Sequence, residues 1–146
     1  MHGALKIPPH ITLKYPFDTT DIRPMAEAVQ TFVKKLKPFP FILKNFNHFD
    51  DRVWYVDVKP TPKLQTIQNK LIKLVYKALS LTPGPHDQYR TPHVTLAYKD
   101  LTPEKFHKVE TFLTDKTLQE KVIFNNITIL KFANNKWQIY KKFRLN

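Results

Sequence analysis

Pro92-His93-Val94-Thr95-Leu96-Ala97-Tyr98 has a near copy close to the start of the chain, Pro9-His10-Ile11-Thr12-Leu13-Lys14-Tyr15. Aligned without gaps, the two heptads share Pro, His, Thr, Leu and Tyr and differ conservatively at Ile/Val. Each is an apolar, β-branched run behind a proline, which predicts two strands, His10–Tyr15 and His93–Lys99. Successive side chains of a strand point to opposite faces, so His10, Thr12 and Lys14 share one face and Ile11, Leu13 and Tyr15 the other. His93 and Thr95 repeat the arrangement over a core face of Val94 and Leu96, and the same alternation turns Tyr98 inward. A lone histidine on a strand is most often a surface or satisfied residue. Repetition of the whole pattern is another matter: two such strands brought together line a cleft with two imidazoles and two hydroxyls.

Outward from these anchors the chain alternates helix and strand signals. Ala26, Val29, Phe32, Val33 and Leu36 recur at helical spacing behind the capping residues of 18–21 and predict a helix over 22–37, stopped by Pro38. Two aromatic and β-branched runs, 39–49 and 53–59, read as a hairpin around Asp50-Asp51-Arg52. Leu64, Ile67, Leu71, Leu74, Val75 and Ala78 make an apolar stripe for a helix over 62–79. Pro83-Gly84-Pro85 marks a loop. Thr102 and Pro103 start a third helix with Phe106, Val109 and Leu113 inward. Runs 122–132 and 136–144, joined across Asn134-Asn135, predict a closing hairpin.

The composition narrows the chemistry. The 146 residues suffice for one substantial core and contain no cysteine, which excludes disulfides, thiolate metal sites and cysteine nucleophiles and fits a reducing cytoplasm. No apolar run approaches the length of a membrane span, so no membrane partner is expected. Lys and Arg outnumber Asp and Glu by 24 to 12, giving a net charge of +12, so polyanions are the natural partners, although the lysines are spread along the chain. With only Gly3 and Gly84, there is no glycine-rich phosphate loop.

Two imidazoles across a cleft serve as base and acid for in-line displacement at phosphorus, and two hydroxyls beside them donate to the non-bridging oxygens as charge builds. The scheme needs no metal or cofactor. A zinc reading needs a third ligand, and His48, His86 and His107 stand at no ligand spacing from the pair; His48, on a strand, is the one best placed to face the cleft. Lys14, on the face of His10 and Thr12, is a candidate for neutralising phosphate. Tyr98, with Tyr15, Phe17, Trp54 and Tyr89, is a candidate for stacking on a base, with core packing the simpler role for Tyr15 and Tyr98.

The two His-x-Thr motifs resemble those for which the 2H phosphoesterase superfamily is named, and in particular the bacterial 2′-5′ RNA ligase family within it. Residues 8–17, 52–58 and 89–98 look like family segments in family order and, with the closing hairpin, cover most of the chain. The resemblance implies an α+β fold of two pseudo-symmetric lobes, with antiparallel sheets lining a central cleft and helices outside, in a single domain over 1–146. The first lobe would span about 1–50 and the second about 51–146. It implies a cytoplasmic, metal-independent phosphodiesterase that opens 2′,3′-cyclic phosphates or cleaves and joins 2′-5′ linkages in RNA or nucleotide substrates. His10, Thr12, His93 and Thr95 would be the catalytic positions, with Lys14 and Tyr98 as further substrate contacts. In that family each motif strand follows a strand-helix unit. Only nine residues precede the first motif here, so the first lobe lacks its initial strand and helix, with an exposed sheet edge expected, or the chain is a piece of a longer one. The alternative is a binding module that keeps the cleft and recognises RNA or nucleotide without turnover; four intact motif residues favour the enzyme.

Overall fold

The computed structural model describes residues 7–84 and 91–146, so His86 and Tyr89 lie outside the described residues. The element order is α1 (Arg23–Val33), β1 (Phe39–Phe49), β2 (Val53–Val58), α2 (Pro62–Leu79), β3 (His93–Ala97), α3 (Pro103–Leu113), β4 (Gln119–Phe124), β5 (Asn126–Ala133) and β6 (Lys136–Arg144). Four strands form one sheet in the order β3-β2-β1-β4, and β5 and β6 form a second; the β1–β2, β2–β3 and β5–β6 pairs are antiparallel. The class is α+β, as the sequence predicts.

The described residues of Met1–Thr12, Phe41–Lys59 and Thr91–Val122 make one compact unit, and those of Leu13–Pro40, Pro60–Arg90 and Ile123–Asn146 make the other. In the first, Trp54, Ala97 and Phe106 form a buried cluster that joins α3 to one face of the sheet, with Phe46, Leu101, Val109 and Leu113 packed around it. α3 starts where its capping signal stands, with Thr102 Oγ1 accepting from the Lys105 amide at 3.3 Å. In the second unit, α2 runs over the predicted residues. Thr61 Oγ1 accepts from the Leu64 amide at 3.1 Å, and Ser80 ends the helix in the left-handed region at φ 52°. Leu64, Ile67, Leu71 and Val75 are buried on one stripe, and α1 packs on α2 through its own buried Met25, Ala26, Val29 and Val33.

Four expectations change. The first motif is not a strand: Ile11 alone forms a bridge, to Val94, and Leu13 and Lys14 bend away. Pro8, Pro9 and Pro16 have no N–H to donate, and the Leu13 carbonyl is taken at 3.1 Å by Gln68 Nε2 of α2 instead of by a neighbouring strand. α1 stops at Val33 rather than 37, because the chain tightens there into three-residue turns from Lys35 N to Phe32 O and Leu36 N to Val33 O. The run 122–132 is two strands in two sheets, broken at Asn125, whose carbonyl accepts from the Leu145 amide at 2.9 Å. Leu96 is not in the core. Trp54 pairs with Ala97 and Tyr55 with Thr95, so Leu96 is the extra residue of a bulge and is 38% exposed, while Ala97 takes the buried place. The turn of the closing hairpin is as predicted, with Asn134 and Asn135 at φ 52° and 58°.

Phe106→Ala should destabilise the protein by about 3–5 kcal/mol, the cost of emptying a packed aromatic site, measured by denaturant unfolding. Asp21, just before α1, accepts from the Arg23 side chain at 2.8 Å and from its backbone N–H at 3.0 Å; these bonds, the side-chain one foremost, lower its carboxyl from the ordinary 3.8 to about 2. Its stabilising effect is therefore complete above pH 4 and lost as pH falls through about 2. An NMR titration of Asp21 should give that low midpoint, and Arg23→Gln should return it towards 3.8; a midpoint near 4 in the unaltered protein would contradict the bonded geometry.

Candidate active site

The second motif is carried by β3, whose register on β2 sets Asp57 opposite His93 and Tyr55 opposite Thr95. The same face continues on β1, where Asn47 pairs with Tyr55 and Nδ2 of Asn47 donates to Asp57 Oδ2 at 3.3 Å. The bulge at Leu96 returns Ala97 to the other face, beside Trp54, so one face of the sheet is core and the other carries the motif.

The first motif reaches this face through the Ile11–Val94 bridge. The bridge is antiparallel and pairs the middle residues of the two motifs, each flanked in sequence by its His and Thr. His93 and Thr95 lie on the face opposite to Val94. One backbone bridge thus joins the centres of the two His-x-Thr motifs. His10 is exposed, and Thr12, His93 and Thr95 are half-buried.

Both imidazoles are held in the same way. His10 Nδ1 lies 2.9 Å from the Pro8 carbonyl oxygen, and His93 Nδ1 lies 3.2 Å from that of Thr91, in each case two residues upstream. A carbonyl only accepts, so Nδ1 carries the hydrogen in both rings, and Nε2 is the nitrogen without one when the ring is neutral. Prolines precede both rings, Pro8-Pro9 before His10 and Pro92 before His93.

Elsewhere the candidate residues part company. Lys14 lies in the second unit, beyond the bend that ends the alternation. Its Nζ donates to the Tyr15 carbonyl at 3.0 Å and stands 4.9 Å from the ring centroid of Phe17 and 5.3 Å from that of Tyr76, in a cavity of about 320 Å³. Tyr98 is half-buried just past β3, with Lys99 Nζ 5.4 Å from its ring centroid. Trp54 is buried in the core. His48 does not share the motif face: its ring packs 4.9 Å from Trp54 and 5.2 Å from Phe106, because its register partner is Trp54. His107 pairs with Glu110 on the exposed side of α3. Among the described residues no group of three or more His, Asp or Glu side chains is placed to hold a metal ion.

Three residues of the motif face were not candidates from the sequence. Tyr55 and Phe49 ring His93 at centroid distances of 5.0 and 5.1 Å, and Asp57 stands opposite it. Burial, and then the neighbouring Asp57 charge, raise the Tyr55 phenol above its ordinary 10.0, so it stays protonated. The strict alternation of Tyr55 and Asp57 with Trp54, Val56 and Val58 was the available signal; the strand's place next to β3 was not.

The sequence profile of the 2'-5' RNA ligase superfamily matches residues 2–136. The chain belongs to that superfamily. Two curated relatives carry names that give phosphoesterase as an inferred activity. The chain is 29% identical to one from Bacillus pumilus, over 95% of its own length and 80% of the relative's, and 28% identical to one from Geobacillus kaustophilus, over 97% and 80%. Among solved structures the fold is shared with a protein of Thermus thermophilus, at TM-score 0.58 and 12% identity, covering 99% of this chain and 88% of that one. It is also shared with E. coli LigT complexed with 3'-AMP, at TM-score 0.61 and 14% identity, covering 94% and 77%. As a superfamily member the chain supports a phosphoesterase-type activity. No helix among the described residues is long and apolar enough to cross a membrane.

The two histidines should be the Nδ1–H tautomer when neutral. Two-bond ¹⁵N–¹H correlation spectra of the ring-labelled protein should show both Nε2 atoms as the unprotonated nitrogen at high pH; a protonated Nε2 in either ring would break the argument for that residue.

Proposed function

We propose that the protein is a metal-independent phosphodiesterase of RNA ends or nucleotides, which opens 2′,3′-cyclic phosphates or cleaves and joins 2′-5′ linkages, with His10 and His93 as acid and base. The observation that carries this reading is the Ile11–Val94 bridge with a His-Thr pair on either side of it. The positive charge of the chain suits a polyanionic substrate, and the 3'-AMP bound to LigT supports a nucleotide. Its site of action is the cytoplasm, which the lack of cysteine suits.

In the opening of a cyclic phosphate, Nε2 of one histidine takes a proton from water as the water oxygen bonds to phosphorus. Nε2 of the other gives its proton to the ribose oxygen as that P–O bond breaks. The two imidazoles end with their protonation states exchanged and are reset through solvent. Thr12 and Thr95 donate to the non-bridging oxygens, where charge accumulates. The duplicated motif gives either histidine either role.

The purified protein, assayed with EDTA present, should hydrolyse 2′,3′-cyclic nucleotides or 2′-5′ dinucleotides with a bell-shaped pH dependence of kcat/KM. His10→Ala or His93→Ala should each cost roughly 10²–10⁴ in rate. The double variant should lose much less than the product, because the pair acts as a unit. Thr12→Ala and Thr95→Ala should do less harm. Activity that vanished with chelator and returned with a divalent ion would make the histidines ligands and end this reading. Tight binding of nucleotide without any turnover would favour a binding module instead.

A further inference from the structure

The proposed reaction uses His10, Thr12, His93 and Thr95 and leaves an aromatic group beside His93 unexplained. Phe49, the last residue of β1, has its ring 4.2 Å from Tyr55 at 30° and 5.1 Å from His93 at 81°, and Tyr55 stands 5.0 Å from His93. The three rings form a triangle in which Tyr55 is the buried floor, 6% exposed, and Phe49 the open wall, 43% exposed. Phe49 is fixed from behind: its carbonyl accepts from the Arg52 amide at 3.2 Å, and Asp50, at φ 45°, turns the chain away directly after it. A phenylalanine held against a site histidine, with nearly half its surface exposed, presents a flat apolar surface that no described residue covers.

We propose that Phe49 is the nucleobase platform of this site: the base of the nucleotide whose phosphate lies at His10, Thr12, His93 and Thr95 stacks on its open face. Tyr55 backs the platform and keeps Phe49 and His93 in fixed relation. This assignment rests on the phosphodiesterase reading for the place of the phosphate and adds the chemical class of what flanks it, an aromatic base attached through ribose. Every base has a π-face, so the platform is tolerant of base identity. Asn47 belongs to the supporting frame and does not read the base edge, because its Nδ2 is engaged with Asp57 and its Oδ1 accepts from the His48 amide at 2.9 Å.

The test compares uridine and adenosine 2′,3′-cyclic phosphates with the baseless ribose 2′,3′-cyclic phosphate. In Phe49→Ala the ratio of kcat/KM for nucleotide over baseless substrate should fall roughly tenfold or more, mainly through KM, as expected for loss of one stacking contact. Phe49→Trp should keep the ratio. Equal losses on both kinds of substrate would mean that Phe49 only positions His93, and an unchanged ratio in Phe49→Ala would mean that it does not touch the base; either overturns the proposal. Calorimetric binding of adenosine 3′-phosphate and ribose 3-phosphate to the same proteins separates this from the reaction. A Phe49-dependent preference for the nucleotide without turnover leaves the platform standing and the phosphodiesterase reading refuted. Turnover with no preference for the base does the reverse.

Discussion

A single backbone bridge, Ile11 to Val94, holds the candidate site together. One bridge is a modest interaction, about 0.5–1.5 kcal/mol net for each hydrogen bond, and it fixes little by itself. Its consequence is geometric. The bridge pairs the middle residues of the repeated His-x-Thr, so the backbones of the two motifs meet at their centres. A slip of one residue would turn one motif's histidine and threonine to the opposite side. The proline signals on either side of the first motif limit how far the pairing can run, and the Leu13 carbonyl is committed to Gln68 of α2.

The face that the bridge selects must also be free of core. In the first unit the sheet uses its other face for packing, with Trp54, Ala97 and Phe106 as the buried cluster under α3. Regular alternation from His93 would carry Ala97 to the motif face. The bulge at Leu96 reverses the phase for the last residue of β3, so the small alanine drops into the core beside Trp54 and Leu96 is expelled to the surface. The irregularity thus lets one short strand serve the site with His93 and Thr95 and the core with Ala97.

The histidines are prepared locally rather than by distant residues. Each Nδ1 is tied to the carbonyl two positions upstream, so the motif supplies its own tautomer control, and a proline stands directly before each histidine. Around His93 the control is stronger, with Phe49 and Tyr55 against the ring and Asp57 opposite. His10 is the more exposed of the two. Two motifs of the same sequence pattern therefore sit in unequal surroundings.

From the sequence alone came the residue types, their duplication and most of the elements. The His-x-Thr repeat, the amphipathic stripe and caps of α2, the Thr102 cap of α3 and the Asn134-Asn135 turn are all set by neighbours within a few residues, and such local preferences survive folding. What only the tertiary structure decided is everything that depends on partners distant in the chain. It left the first motif a lone bridge instead of a strand, broke the run 122–132 at Asn125 between two sheets, set the exposed His48 against Trp54 and Phe106, and expelled Leu96. Pairing register carries no local mark: Gln68 captures Leu13 across 55 positions of sequence, and Phe49 meets His93 only because β2 lies between their strands. Period-two patterning states that a strand has two faces, whereas which face becomes a site is settled by what the next strand and the covering helix occupy.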